Sequence, residues 1–262
     1  MKLAAGILGS LAGAAAVMAA VMYKTAKGCH LKTHTFTLRK MKGMEPLTIF
    51  FISDVHRRLI DESLLNEASA HKPDVVLLGG DLAEGGVPYA RIEENIKRLT
   101  RLAPVFYVWG NNDYEVSQQK LLSIFNTYKV IPLRNESVLF TYKGETVTII
   151  GVDDIRMMMD DYGSAIRNID ENRVNVLLCH NPDIREQMSE SDGIDAVFSG
   201  HTHGGQIRLG QFGPYELGKT GTVKQAHYLI SNGYGTTKVP LRFGAKPETH
   251  IVRLCGPDAS FS

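Results

Sequence analysis

Cysteine is scarce in this chain. Cys29, Cys179 and Cys255 are the only three in 262 residues, and their wide, irregular spacing fits neither a disulfide framework nor a zinc ribbon. They read as small buried thiols. A charge excess is missing too: 29 basic and 28 acidic side chains leave +1. Acid is absent altogether from residues 1–44, which hold seven basic residues (Lys2, Lys24, Lys27, Lys32, Arg39, Lys40 and Lys42). The rest holds 22 basic against 28 acidic residues, so a mildly acidic body follows a short basic leader. Such a body repels phosphate backbones, which argues against a nucleic-acid binder. The sequence also lacks low-complexity stretches and repeats, excluding solenoids and propellers. Its 44% apolar content excludes full disorder.

Within the leader, the 21 residues 3–23 carry no charge and are mostly apolar. As a helix they would rise about 31 Å, against a bilayer core of roughly 30 Å. They offer no polar face to water. No twin-Arg pair is present, and Lys27 spoils a lipoprotein site at Cys29. The basic excess lies after the segment, which favours a body on the cytoplasmic side of the cell membrane. The expectation is a single-pass anchor with a basic flank over 1–27, a linker over 28–46, a catalytic domain over 47–256 and a tail over 257–262. The alternative is an export signal with an extracytoplasmic body. Oligomeric state is not legible.

From residue 47 one pattern recurs. A short, β-branched apolar run ends in Gly, Ser or Cys and is followed by polar residues. The runs are 47–52, 75–78, 105–109, 174–178 and 194–198. They read as buried strands. The stretches 62–71, 89–101, 117–128 and 184–188 read as helices between them. Segments 137–142 and 146–152 read as a hairpin, and 227–230 and 249–254 as later strands. This alternation predicts an α/β layered fold. Ligand sites in such sheets gather beyond the carboxyl ends of strands, where all five polar clusters fall.

Those clusters supply Asp54, His56, Asp81, Asn111, His180, His201 and His203. Carboxylate, amide and imidazole together suit a borderline divalent ion, such as Mn, Fe, Zn or Ni, better than calcium. Seven ligands are too many for one ion with an open position and fit two ions if a carboxylate bridges. No thiolate belongs to the set, so a structural zinc knot is excluded.

Asp-x-His, Gly-Asp, Gly-Asn-x-Asp, a His after a strand, and Gly-His-Thr-His-Gly-Gly stand in the order seen in the calcineurin-like metallophosphoesterases. The chain resembles that family over residues 47–254. Gly-His-Thr-His-Gly-Gly-Gln and Leu-Cys-His-Asn-Pro look most like its bacterial membrane-associated or exported branch. The resemblance implies a four-layer α-β-β-α sandwich and a hydrolase acting on phosphomonoesters or phosphodiesters. It implies that Asp54, His56, Asp81 and His203 hold one divalent ion, and that Asp81, Asn111, His180 and His201 hold a second. Asp81 would bridge them, and a hydroxide between the ions would attack phosphorus. The expected partner is a phosphate ester near a membrane.

One position departs from the pattern. The family usually reads Gly-Asn-His at the third cluster; here Asn112 follows Asn111. Asn112 donates hydrogen bonds but is no proton donor at neutral pH. Activated leaving groups are therefore expected to be favoured. Two competing readings are a non-catalytic metal-binding scaffold and a nuclease. The nuclease requires Arg57, Arg58, Arg156 and Arg208 to form one groove. Arg57 and Arg58 could touch a substrate phosphate or form a solvated loop pair. Met157, Met158 and Met159 could line a lipid-facing rim or cover the core. His30, His34, His71, His227 and His250 read as surface or structural residues.

Overall fold

The structure is a computed structural model and describes residues 2–259, without the side chains of residues 2–9. Helix α1 (Lys2–Lys27) leads into strand β1 (Leu31–Thr37). Then follow β2 (Leu47–Ile52), α2 (Glu62–Ala70), β3 (Val75–Leu78), α3 (Tyr89–Thr100), β4 (Val105–Val108), α4 (Gln118–Tyr128) and β5 (Ile131–Leu133). The second half holds β6 (Glu136–Tyr142), β7 (Glu145–Val152), α5 (Tyr162–Ile166), β8 (Asn175–Cys179), α6 (Ile184–Gln187) and β9 (Ala196–Ser199). Strands β10 (Lys219–Val223), β11 (Ala226–Ile230) and β12 (Thr249–Cys255) complete it.

Two six-stranded mixed sheets result, ordered β1-β12-β2-β3-β4-β5 and β10-β11-β9-β8-β7-β6. Strands β2 to β5 run parallel in the first, and β7, β8, β9 and β11 in the second. Both sheets bury their facing sides against each other; Phe51 meets Phe198 there with ring centroids 5.4 Å apart. Fully burying one such ring is worth about 1.5–3 kcal/mol. The outer face of the first sheet packs under α2, α3 and α4, and that of the second under α5 and α6. This is the expected α-β-β-α layering. On α3, Ile92, Asn95, Ile96 and Leu99 are buried at helical spacing. The β6–β7 hairpin turns on Lys143 and Gly144, both with positive φ, as a two-residue turn requires.

Residues 28–46 do more than link. β1 pairs in parallel with β12 from Leu31 to Thr37, and Met41 is fully buried. Its polar alternation, LKTHTFT, is that of a sheet edge and hides the strand from a search for apolar runs. The expected transmembrane helix is not supported: among the described residues, no helix is long and apolar enough to cross a membrane. Ala and Gly dominate the segment, so each turn offers little apolar surface. Part of that expectation falls on residues 2–9, whose side chains lie outside the described residues. The described part of α1 is exposed on all sides from Ser10 to Val21. Its carboxyl end meets the body, where Ala26 is buried. There Arg58 donates to the carbonyls of Ala26, Lys27 and Gly28, groups that a helix leaves without partners.

Candidate metal centre

The carboxyl ends of β2, β3, β8 and β9 converge where the two sheets meet. Asp54, His56, Asp81, His180 and His203 are buried there together. Parallel strands point these ends the same way, so clusters far apart in sequence share one edge. Five of the seven expected residues have a left-handed backbone: Asp54 (φ 55°), His56 (50°), Asp81 (51°), His201 (68°) and His203 (49°). Such conformations cost of order 1–3 kcal/mol each and persist only where the surroundings impose them. Backbone bonds do so here: Asp54 N donates to Gly80 O, and His56 N to Asp81 O. Glycine makes the close approach possible. A Cβ at Gly110 would collide with the Asp81 carboxylate, and one at Gly200 with that of Asp54.

The donor atoms point inward. His56 Nε2 lies 3.1 Å from His203 Nε2, and His203 Nε2 lies 3.3 Å from Asp54 Oδ1. His180 Nε2 lies 3.2 Å from His201 Nδ1. Asp81 Oδ2 stands between the two groups, 3.6 Å from His56 Nε2 and 3.3 Å from His180 Nε2. Two ligand clusters are compact enough to hold an ion: Asp54 with His56 and His203, and Asp54 with Asp81 and His180. Asn111 Oδ1 is buried with no hydrogen-bond partner, an orphan acceptor of the kind a cation satisfies.

Surrounding groups set the tautomers. His180 Nδ1 donates to the Gly79 carbonyl at 2.8 Å, leaving its Nε2 lone pair free toward Asp81. Glu84 Oε2 lies 3.0 Å from His56 Nδ1 and does the same for His56. His203 differs. Its Nδ1 accepts from Arg242 Nη2 at 3.1 Å, because a guanidinium only donates. Arg242 also donates to the carbonyls of Gly235, Asn232 and Gly233. It therefore keeps partners when His203 turns its Nε2 lone pair inward.

The electrostatics follow from burial and neighbours. Burial pushes the Asp54 carboxyl up. Burial also opposes charge on Asp81, but the charge and hydrogen bond of His180 hold Asp81 well below the usual carboxylate range. His201 is lowered to about 3 by burial and by His180. Asp113 is raised to about 7 by burial and by Asp81. Its carboxylate accepts from the backbone N–H of Asp81, Gly110 and Ala83, so it fixes the loops.

Asn112 lies against Asp81. Its backbone N–H donates to Oδ1 at 2.8 Å and its Nδ2 to Oδ2 at 2.7 Å. A cavity of about 630 Å³ opens over the cluster, with Asp81, Asn111, Asn112, His201, Arg156 and Lys238 in its wall.

The arginines expected to form a nuclease groove scatter. Arg57 pairs with Glu84. Arg58 is buried, stacked on Tyr234 and turned to α1. Arg208 is buried among the carbonyls of Gly204, Gly210, Gln211 and Tyr215. Of the four, Arg156 alone lines the cavity. His227 stacks on Phe36, and His250 contacts His34 and Ser231, as structural histidines. All three cysteines are free, and Cys179 and Cys255 are buried.

The family model for calcineurin-like phosphoesterases matches residues 47–205, which contain every one of these candidate ligands. The chain belongs to the calcineurin-like phosphoesterase family. Like other members of that family, it is a hydrolase acting on phosphoester bonds. It is 68% identical to the uncharacterized protein YpbG of Bacillus subtilis (strain 168), over 98% of this chain and 100% of that one. It is 29% identical to phosphodiesterase YaeI of Escherichia coli (strain K12), covering 80% of this chain and 82% of that one. Among solved structures, TT1561 of Thermus thermophilus shares the phosphoesterase fold with a TM-score of 0.51 at 10% identity, covering 72% and 90% of the two chains.

Glu84, Arg242, Asn95 and Asp113 support this phosphoesterase site without having been legible as members of it. Asn95 clamps the loop after His56, donating to Arg58 O and accepting from Ile60 N. Their only signal was a charged or polar residue close to a motif or on an apolar helix face.

Proposed function

We propose that the chain is a dinuclear, divalent-metal-dependent phosphoesterase that hydrolyses phosphodiesters or phosphomonoesters. The observation that carries this reading is Asp81 Oδ2, set between the inward nitrogens of His56 and His180. Asp54, His56, Asp81 and His203 are assigned to one ion, and Asp81, Asn111, His180 and His201 to the other. When bound, two such ions polarise a phosphoryl oxygen and supply a water nucleophile at neutral pH. The protein's own groups do the rest. Asn112 holds Asp81 by two hydrogen bonds. Arg156 and Lys238 bring positive charge to the cavity wall, where a phosphate binds. The Asn112 amide is committed to Asp81 and carries no acidic proton, so the leaving group departs best when it is itself acidic.

The test is metal analysis of the full chain, with hydrolysis of an aryl phosphodiester and an aryl phosphomonoester. Asp81→Ala should lose both metal and turnover. A wild-type protein that carries two ions and cleaves neither ester would sink the reading.

The leader suggests a location. We infer that α1 holds the body at the cell membrane on its cytoplasmic side. Support comes from Leu11, Val17, Met18 and Val21, all exposed on a helix that buries only its last turn. Recovery of the full chain in the soluble fraction, free of lipid, would overturn this.

A further inference from the structure

We propose that the substrate is a long-chain amphiphilic phosphate ester, drawn from a lipid surface; the proposal rests on the phosphoesterase reading above. The cavity is polar at its floor and apolar at its mouth. Tyr215 and Val239 line it and are half exposed. Beside Tyr215, a tight turn closes by reciprocal backbone bonds between Leu209 and Phe212. The side chains of these two residues are 71% and 74% exposed. Met158 is 88% exposed next to Met157, another wall residue.

These apolar groups are held out rather than left loose. Arg208 is buried beneath the turn and donates to Gly204, Gly210, Gln211 and Tyr215, so the backbone cannot fold its tip inward without stranding a guanidinium. A water-facing turn has no use for such a brace around two bare apolar side chains. An acyl or alkyl chain lying across the mouth does.

The same edge carries the leader. Gln206 Nε2 donates to the carbonyls of Thr237 and Val239, tying the 237–242 segment to the mouth. Arg242 N, at the far end of that segment, donates to Met22 O of α1. The exposed apolar helix is thus joined to the apolar rim by one short segment. A surface that receives α1 also receives the rim. The ester phosphate then lies within the cavity beside Arg156 and Lys238. In hydrolysis, a water oxygen bonds to phosphorus, the ester P–O bond breaks, and the departing alcohol oxygen takes up a proton.

The test compares 4-nitrophenyl methyl phosphate in solution with 4-nitrophenyl hexadecyl phosphate in nonionic micelles, on the full chain loaded with Mn(II). Both release the same leaving group, so their ratio reports the chain alone. We expect kcat/KM for the hexadecyl ester to exceed that for the methyl ester at least tenfold. The paired change Leu209→Ser and Phe212→Ser should remove that preference and leave the methyl ester within twofold, which also reports an intact fold. Met158→Ser, on a separate segment, should lower the preference on its own. Equal rates on the two esters, or a preference untouched by all three substitutions, would overturn the amphiphile while leaving the phosphoesterase. Failure on both esters by metal-loaded wild type would overturn the phosphoesterase reading, and the amphiphile with it.

Discussion

Asn112 Nδ2 donates to Asp81 Oδ2 at 2.7 Å, so the residue that replaces the family's usual histidine grips the carboxylate assigned as the bridge. Removing a partner of this kind typically costs 10–100-fold in metal affinity. Asn112→Ala should weaken Mn(II) binding by about that factor, read by competition with a chelating dye. Unchanged affinity would show that the backbone bond from the same residue suffices. Asn112→His restores a proton donor and should raise the rate on alkyl phosphodiesters more than on aryl ones. An unchanged or lower alkyl rate would refute the proposed leaving-group preference.

Gly200 faces the Asp54 carboxylate and Ser53, with no space for a Cβ. Gly200→Ala should displace Asp54 and lower metal content sharply in a protein that still folds. Metal analysis beside circular dichroism checks this; full metal content would mean that the loop yields.

Arg58 closes the carboxyl end of α1 and stacks over Tyr234, its guanidinium carbon 3.8 Å from the ring centroid. Arg58→Ala strands partly buried carbonyls and should destabilise the fold by about 2–3 kcal/mol. Hydrogen exchange in the last turn of α1 should speed up in the same variant. Slow exchange there would show that the Arg242 contact to Met22 alone seats the helix.

His250 is buried against His34 and Ser231, and burial holds its pKa well below the ordinary value. The folded state keeps this ring neutral while the unfolded chain protonates it below about pH 6.5. Its contribution is therefore complete above that pH and is lost as the pH falls. In metal-free protein, the wild type should lose about 1.4 kcal/mol more per pH unit than His250→Gln, between roughly pH 6 and 5. Parallel urea midpoints for the two proteins would exclude this.

The parallel core strands and their trailing ligands were legible because each is a contiguous apolar run that ends in a polar cluster. β2 and β3 fall where that pattern places them, and Asp54 and Asp81 follow them at once. β1, β5 and β10 were not legible: one is a polar-patterned edge strand, one has three residues, and one is mostly exposed. The supporting residues were hidden for a different reason. Arg242 and Arg208 look like surface cations in sequence, and only the fold surrounds them with carbonyls. Glu84 acquires meaning only once His56 lies beside it. Local chemistry is written along the chain, whereas the groups that orient it are chosen by packing.

The order of synthesis acquires a consequence from the position of β12 between β1 and β2. A nascent chain that already carries β2 and the Asp54 loop has an unpaired sheet edge until residues 249–255 leave the ribosome. Ser231, Gly233 and Tyr234, which brace Asp54 and His250, also arrive late. The early half therefore cannot capture metal in its final geometry while translation is under way. Cation uptake becomes a late checkpoint on a finished sandwich, which spares a half-made hydrolase from acting at the surface where its leader is already held.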